Sequence, residues 1–285
     1  MKHILLPTDF SDNSWNAIKY AVQLYKDDEC TFYIFNAYTP IIYHVEYVLM
    51  YPAQFGLADA TREASLQNLN NLVDRVAKEF ETNPNHKFET IARFDTLVSG
   101  MKELIDEHHI DLVIMGTKGA TGAEEILFGS NTVQIFKNIK CPTLAVPSNF
   151  EYESPREILF PTDFKIDYKK TTLDVLLDLA VNHHSRVNTL HVSTGYSLTE
   201  AQENRKLELE EFFKGTAYLY HDFESMEITD AINHFQIKHK INMLAMINNK
   251  HSFFENLFFQ NPINQIGFHL NIPFLVIPSK TPKES

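Results

Sequence analysis

One stretch of this chain occurs twice. Ile4-Leu5-Leu6-Pro7-Thr8-Asp9-Phe10 returns as Ile158-Leu159-Phe160-Pro161-Thr162-Asp163-Phe164, 154 residues later. Cys141-Pro142-Thr143-Leu144-Ala145-Val146-Pro147-Ser148 returns as Ile272-Pro273-Phe274-Leu275-Val276-Ile277-Pro278-Ser279, 131 residues later, and between Asp111 and Ser148 nine of 38 positions are identical at that spacing. Such a repeat limits the fold more than composition does, because each copy is one unit that builds the same layers. The reading is two copies of one domain, 1–148 and 154–280, joined by a short polar link around Asn149–Pro155. A length of 285 residues accommodates two domains of ~100–200 residues each. The two spacings differ by 154 − 131 = 23, so the first copy carries 23 extra residues in its middle.

Within the first copy, apolar runs and amphipathic stretches alternate. Ile4–Pro7, Thr31–Ala37, Phe88–Arg93, Asp111–Met115 and Thr143–Val146 read as strands. Ser11–Tyr25, Thr61–Phe80 and Leu97–His108 carry apolar residues at helical spacing, and Val133–Ile139 reads as a further helix with Ser130 or Asn131 as its cap. Strands alternating with helices make an α/β fold, a parallel sheet covered on both faces. Ligands of such sheets bind beyond the carboxyl ends of the strands, where the strand order reverses.

The chemistry is concentrated in a glycine loop. The chain has nine glycines, and four of them, Gly116, Gly119, Gly122 and Gly129, fall within 14 residues starting where the strand Asp111–Met115 ends. Glycines let a backbone approach a ligand closely, and a helix beginning after them offers free N–H groups and the positive end of its dipole. Glycines, hydroxyls and a helix start after a strand make a phosphate site, to which Lys118 can add a charge. Neither G-x-x-x-x-G-K-[ST] nor a G-x-G-x-x-G after the first strand is present.

The spacing Gly116-x2-Gly119-x9-Gly129-Ser130 resembles the ATP-binding signature of the universal stress protein family, and the resemblance runs twice along nearly the whole chain. It implies two tandem open parallel five-stranded sheets, Rossmann-like, with helices on both faces. It also implies an adenine nucleotide, ATP or else ADP or AMP, with or without Mg²⁺, at the ends of the first and fourth strands. Carried over residue by residue, Pro7, Thr8 and Asp9 match the turn at the adenosine end, where Asp9 would accept from a ribose hydroxyl. Ala37 matches a backbone contact to adenine. Met115 and Gly116 match the strand end under ribose and phosphates, and Gly119, Gly129, Ser130, Asn131 and Thr132 match the phosphate cradle. Asn131 stands where the family varies, so its contact is through the backbone.

Plainer readings stand beside these. Asp9 can simply hold the turn before the first helix, with Ser11 or Asp12 sharing the cap, and Asp163 keeps the same place in the second copy. Lys118 can be a solvated loop residue, and Ser130 a helix residue rather than a nucleophile. The pairs His108-His109 and His183-His184 lack a second cluster at ligand spacing and read as surface or packing histidines, because neighbours on a helix point apart. The second copy is an internal control. There Gly116 becomes Ile247, Gly119 becomes Lys250, Gly129 becomes Gln260, Ser130 becomes Asn261 and Asn131 becomes Pro262, so one nucleotide per chain is expected, in the first copy.

The extra residues of the first copy fall around Tyr38–Ala60, an apolar segment rich in tyrosine. It can cover the adenine end of the site, form a contact surface or pack inside the monomer. The last strand of each copy sits at a sheet edge by resemblance, and bare edges invite pairing. The two copies can therefore pair within one chain as a pseudo-dimer, with further homo-oligomers open.

Composition excludes several classes. Lys+Arg is 25 against 37 Asp+Glu, a formal net charge of −12, which argues against nucleic acid as a partner. No apolar run reaches the ~18 residues of a membrane span, the first seven residues do not read as a signal peptide, and two cysteines in a long chain read as cytoplasmic thiols rather than a disulfide frame. Three functions remain: a nucleotide-binding regulator of the stress-response class, a slow ATPase or other nucleotide-using enzyme on the same fold, and a scaffold with a vestigial site. The enzyme requires a second group near the glycines, for which Glu124 and Glu125 are the nearest candidates.

Overall fold

The computed structural model describes residues 1–38, 55–117, 128–168, 173–193, 195, 197–224, 226–249, 254 and 271–279. Lys118, Gly119, Gly122, Glu124 and Glu125, most of the Tyr38–Ala60 segment, and the second-copy positions Lys250 and Gln260–Pro262 lie outside the described residues.

The first half runs β1 (Lys2–Pro7), α1 (Asp12–Leu24), β2 (Cys30–Tyr38), α2 (Phe55–Glu79), β3 (His86–Phe94), α3 (Leu97–Glu107), β4 (Leu112–Gly116), α4 (Ser130–Asn138) and β5 (Thr143–Val146). The second runs β6 (Glu157–Pro161), α5 (Asp174–Asn182), β7 (Arg186–Ser193), α6 (Glu200–Phe212), β8 (Ala217–Glu224), α7 (Ile228–His239), β9 (Met243–Asn248) and β10 (Phe274–Pro278). The strands form one ten-stranded sheet in the order β3-β2-β1-β4-β5-β10-β9-β6-β7-β8. Every neighbouring pair is parallel except β5 and β10, which run antiparallel with Phe274 opposite Ala145 and Leu275 opposite Leu144.

The central strands are buried on both faces, and for that reason they read as continuous apolar runs rather than alternating ones. The period of two still sorts their side chains. Ile4 and Leu6 of β1, Phe32 and Ile34 of β2, Leu144 and Val146 of β5 and Leu275 and Ile277 of β10 enter one core shared by both halves, under α1, α2, α5 and α6. Leu5, Phe35 and Val113 point the other way, under α3 and α4. Leu159, Leu244 and Phe274 do the same in the second half, against α7. Trp15, Ile18 and Val22 of α1 and Leu69, Leu72 and Val76 of α2 are the buried stripes of those helices.

Two unusual backbone positions recur at the repeat spacings. Phe10 (φ 64°) and Phe164 (φ 54°) are 154 apart, and His109 (φ 49°) and Lys240 (φ 51°) are 131 apart. Left-handed conformation costs a bulky residue roughly 1–2 kcal/mol, so its repetition marks turns fixed by their surroundings. In the first pair those surroundings are the same. Thr8 Oγ1 accepts from Phe10 N at 3.0 Å and Thr162 Oγ1 from Phe164 N at 3.1 Å; Asp9 Oδ1 accepts from Ser11 N at 3.1 Å and Asp163 Oδ1 from Lys165 N at 3.0 Å.

The histidine pairs end helices. His108 caps α3, His183 caps α5, and His109 and His184 (φ 51°) follow in the left-handed region. Among the described residues no three His, Cys, Asp or Glu side chains form a group able to hold a metal, and no helix is long and apolar enough to cross a membrane. Cys30 and Cys141 are free and buried; burial pushes the Cys30 thiol up to about 12 and the Cys141 thiol higher, so both are protonated packing groups.

Burial also lowers two histidines. His183, whose Nε2 has no hydrogen-bond partner among the described residues, is pushed below its ordinary value mainly by desolvation. His221 is lowered by desolvation, then by the neighbouring His239 and Arg186. A folded-state pKa below the unfolded value of ~6.5 means that the unfolded chain binds more protons. Stability contributed by these groups is therefore complete above that value and declines as pH falls through the window beneath it. Melting midpoints should be level above about pH 7 and fall towards pH 5. A His183→Asn, His221→Asn double variant should show a shallower fall, and an unchanged slope would remove these two histidines as its cause.

Candidate functional site

Strand order reverses between β1 and β4: from β1 the chain continues outward to β2 and β3, and from β4 to β5 on the other side. Beyond the carboxyl ends of these strands lies a cleft of about 120 Å³, lined by Pro7, Thr8, Asp9, Ser14, Asn36, Ala37, Leu97, Met115, Gly116, Asn131 and Thr132. Eight of these belong to the residues expected from sequence, drawn together from β1, β2, β4 and α4. Ser14, Asn36 and Leu97 are new. Asn36 had a signal in the sequence, as the one amide in the otherwise apolar run Phe32–Ala37.

Hydrogen bonds fix the turn after β1. Thr8 N donates to Phe35 O at 2.8 Å, and Asn36 Nδ2 donates to Thr8 O at 2.7 Å. Ser14 Oγ donates to Ser11 O at 2.8 Å. Its single proton being spent there, the 2.9 Å contact between Thr8 Oγ1 and Ser14 Oγ is donated by Thr8. Asp9 is exposed, and its Oδ1 accepts from Ser11 N and, at 2.5 Å, from Ser11 Oγ. The helix cap is Ser11, whose side chain accepts from Ser14 N. Asp9 thus braces the turn, and its Oδ2 makes no hydrogen bond among the described residues.

One expectation changes at the other wall. The cap of α4 is Gly129, not Ser130 or Asn131, and among the described residues no side chain caps that helix. Gly129 N is held by Thr117 O at 2.7 Å, which starts the helix one residue earlier and leaves Ser130 and Asn131 exposed in its first turn. First-turn N–H groups have no partner inside a helix and carry its positive dipole end. Thr132, by contrast, is buried, and its hydroxyl is shared between Thr117 O at 3.0 Å and Gly116 O at 3.3 Å, so its proton fastens the loop. Gly116 has a reason unrelated to any ligand. A Cβ there would lie 2.3 Å from Asn13 Nδ2 and 2.6 Å from Asn13 Cγ, so its hydrogen lets α1 sit against the end of β4.

The corresponding end of the second half is filled by its own side chains. Tyr168 stands 154 residues after Ser14, and its hydroxyl meets Thr162 Oγ1 at 2.7 Å. Phe164 is fully buried where Phe10 is only partly so, and Ile247 occupies the strand position of Gly116. From α6, Gln202 Nε2 donates to Asp163 O and Arg205 to Phe164 O.

A larger opening of about 580 Å³ lies at the amino ends of β1 and β4, between Lys2, Asp28, Asp111, Lys140 and Asp178. It is crossed by the Lys2–Asp178 ion pair at 2.8 Å. It lacks the glycine-flanked helix start, and size alone does not make it the better candidate.

A parallel sheet of order 3-2-1-4-5, a cleft at its switch point and a glycine-capped helix start beside that cleft define a doubly wound, Rossmann-like α/β protein. The chain belongs to the universal stress protein family, whose family model matches residues 1–147. Universal stress protein MJ0531 of Methanocaldococcus jannaschii is 29% identical over 148 residues, 51% of this chain and 81% of that relative. The structure of a universal stress protein from Archaeoglobus fulgidus DSM 4304 matches with a TM-score of 0.67 at 16% identity, covering 96% of this chain and 97% of that one. A functionally unknown protein from Pseudomonas aeruginosa PAO1, PA1789, matches with a TM-score of 0.60 at 10% identity, covering 98% and 92%. The last two likenesses are likenesses of fold.

Proposed function

We propose that this universal stress protein is a nucleotide-binding regulator that takes one adenine nucleotide, ATP first among the candidates, in the cleft of the first half. The observation that carries the reading is the convergence of β1, β2, β4 and α4 on that cleft, with the start of α4, whose cap residue is a glycine, as one wall. Asp9 Oδ2 is placed to accept from a ribose hydroxyl, Ala37 borders the adenine side, and the backbone of Gly129–Thr132 receives the phosphates. A volume of 120 Å³ is below the ~300–1,000 Å³ of whole ligand sites and suits the ribose end. Lys118 and Gly119 belong to the phosphate end in this reading. The second half, with Tyr168 and Ile247 in the equivalent places, holds none. The domains are 1–148 and 154–280, and the two form an internal pseudo-dimer through β5 and β10, a reading supported by their antiparallel register.

Calorimetric titration with ATP, ADP and AMP, with and without Mg²⁺, tests this. Saturation at one site per chain is expected, and absence of binding in an orthogonal assay as well overturns it. Asn131→Asp separates ligand from fold. A carboxylate in the first turn of α4 should stabilise the helix by ~0.3–1 kcal/mol while repelling phosphate, so the melting point rises as affinity falls by about tenfold. Ser130→Pro tests the same wall through the backbone. Proline fits the first helical position and removes one N–H, and Gly129 before it is already extended (ψ 158°). Its affinity loss should be of similar size at unchanged stability. Affinity unchanged in both variants would move the phosphates away from α4.

A further inference from the structure

We infer that Asn36 is the positioning residue of this site: its side-chain amide, anchored on α2, sets the direction of the Thr8 carbonyl and so holds the Thr8–Asp9 turn in the shape a ligand needs. The inference rests on the reading of the cleft as a nucleotide site. Asn36 is buried at the carboxyl end of β2, where an amide is tolerated only with its polar atoms paired. Nδ2 donates to Thr8 O at 2.7 Å, and Oδ1 accepts from the buried Ser65 Oγ at 2.8 Å. A carbonyl can only accept, and that settles which way the amide faces. The chain Ser65–Asn36–Thr8 links α2, β2 and the turn after β1, and the residue it fixes directly precedes Asp9.

The second half supplies a natural comparison. There β6 and β7 pair Pro161 with Leu190, as β1 and β2 pair Pro7 with Phe35, so His191 takes the place of Asn36. The sequence spacing of 154 would have matched His191 with Ala37, one residue away. His191 Nδ1 lies 3.0 Å from Thr162 O, so its N–H donates to the same carbonyl of the same turn. Two different side chains thus perform one task, and the task is donation to that oxygen.

The test follows from this donation. Asn36→Asp keeps size and removes the donor, setting a carboxylate oxygen against the Thr8 carbonyl. Asn36→His restores a donor in the form already used by the second half. Each variant is titrated with ATP and Mg²⁺, melted, and followed without ligand by hydrogen exchange at the amides of Thr8, Phe10 and Ser11. The acidic variant should exchange faster at these amides and lose about tenfold or more in affinity. The histidine variant should return both to within about threefold of the parent. A purely structural role would lower the melting point with no such rescue of affinity. Parent-like affinity in Asn36→Asp overturns the inference alone, whereas a parent protein that takes up no adenine nucleotide overturns the reading of the site beneath it. Should Asn36→Asp not fold, Ser65→Ala, which releases only the far end of the amide, carries the test. Faster turn exchange with weaker binding supports the inference, and parent-like values for both overturn it.

Discussion

Gly116→Val should destabilise the protein strongly with no ligand present. The valine Cβ would fall 2.3 Å from Asn13 Nδ2, 2.6 Å from Cγ and 2.9 Å from Oδ1, distances at which one side must move. Asn13 is only 7% exposed, in the first turn of α1, and has little room to swing away. Overpacking a tight site costs ~1–3 kcal/mol and sometimes more, and the branched side chain places this change at ~3 kcal/mol or above. The melting point should drop by roughly 6–12 °C. Pairing the milder Gly116→Ala with Asn13→Ala should recover much of the loss, because the second change removes the atoms that clash; a double-mutant cycle measures that coupling. A Gly116→Val protein melting with the parent would refute the packing argument. The second half agrees with it. Ile247 sits where Gly116 does, and there α5 begins only at Asp174, seven residues past Asp167, the counterpart of Asn13 at the repeat spacing of 154. Loss of nucleotide binding in a Gly116 variant is consequently no sign of a ligand contact, and for this reason Ser130 and Asn131 are the informative positions.

The same glycine shows where sequence reading stops. A glycine at a strand end has one appearance whether a phosphate or a neighbouring asparagine comes close, and only coordinates tell them apart. Strand β5 and the ends of β1 and α3 were legible to within about a residue because the apolar runs and the helical spacing stop there in the sequence itself. The start of α2 at Phe55 precedes the expected Thr61 by six residues, because Phe55-Gly56-Leu57-Ala58-Asp59-Ala60 includes a glycine that lowers helix propensity. The cap of α4 was misplaced for a different reason. Ser130 and Asn131 are good cap residues, but the hydrogen bond from Gly129 N to Thr117 O fixes the helix start from across the loop. Asn36 and His191 depend on strand register, which shifts the second half by one residue between β6 and β7 relative to a constant spacing. Pattern within a segment was readable; partners brought in from other segments were not.

Phe274→Ala should have the largest effect of any single substitution considered, and it tests whether the two halves share their stability. Phe274 is wholly buried on β10, opposite Ala145 of β5. Its ring lies 5.8 Å from those of Phe128 and Phe136, which belong to the first half, and 6.2 Å from that of Phe254 in the second. Phe128 and Phe136 meet edge to face at 5.4 Å. Truncation leaves a cavity walled by rings and by strand backbone, neither of which collapses easily, so the cost should be ~3–5 kcal/mol. Each lost aromatic pairing adds to what area burial alone would give. The chain has one tryptophan, Trp15, in the first half and in the core on the opposite face of the sheet. Its fluorescence therefore reports on a region that Phe274 does not touch. If β5 and β10 join the halves into one cooperative unit, the Trp15 midpoint and the far-ultraviolet circular dichroism midpoint fall together in the variant, by roughly 10 °C or more. If the Trp15 midpoint stays at the parent value while the circular dichroism splits into two transitions, each half unfolds alone. The pairing of β5 with β10 would then be a contact between independent domains, and nucleotide uptake in the first half would stabilise that half only.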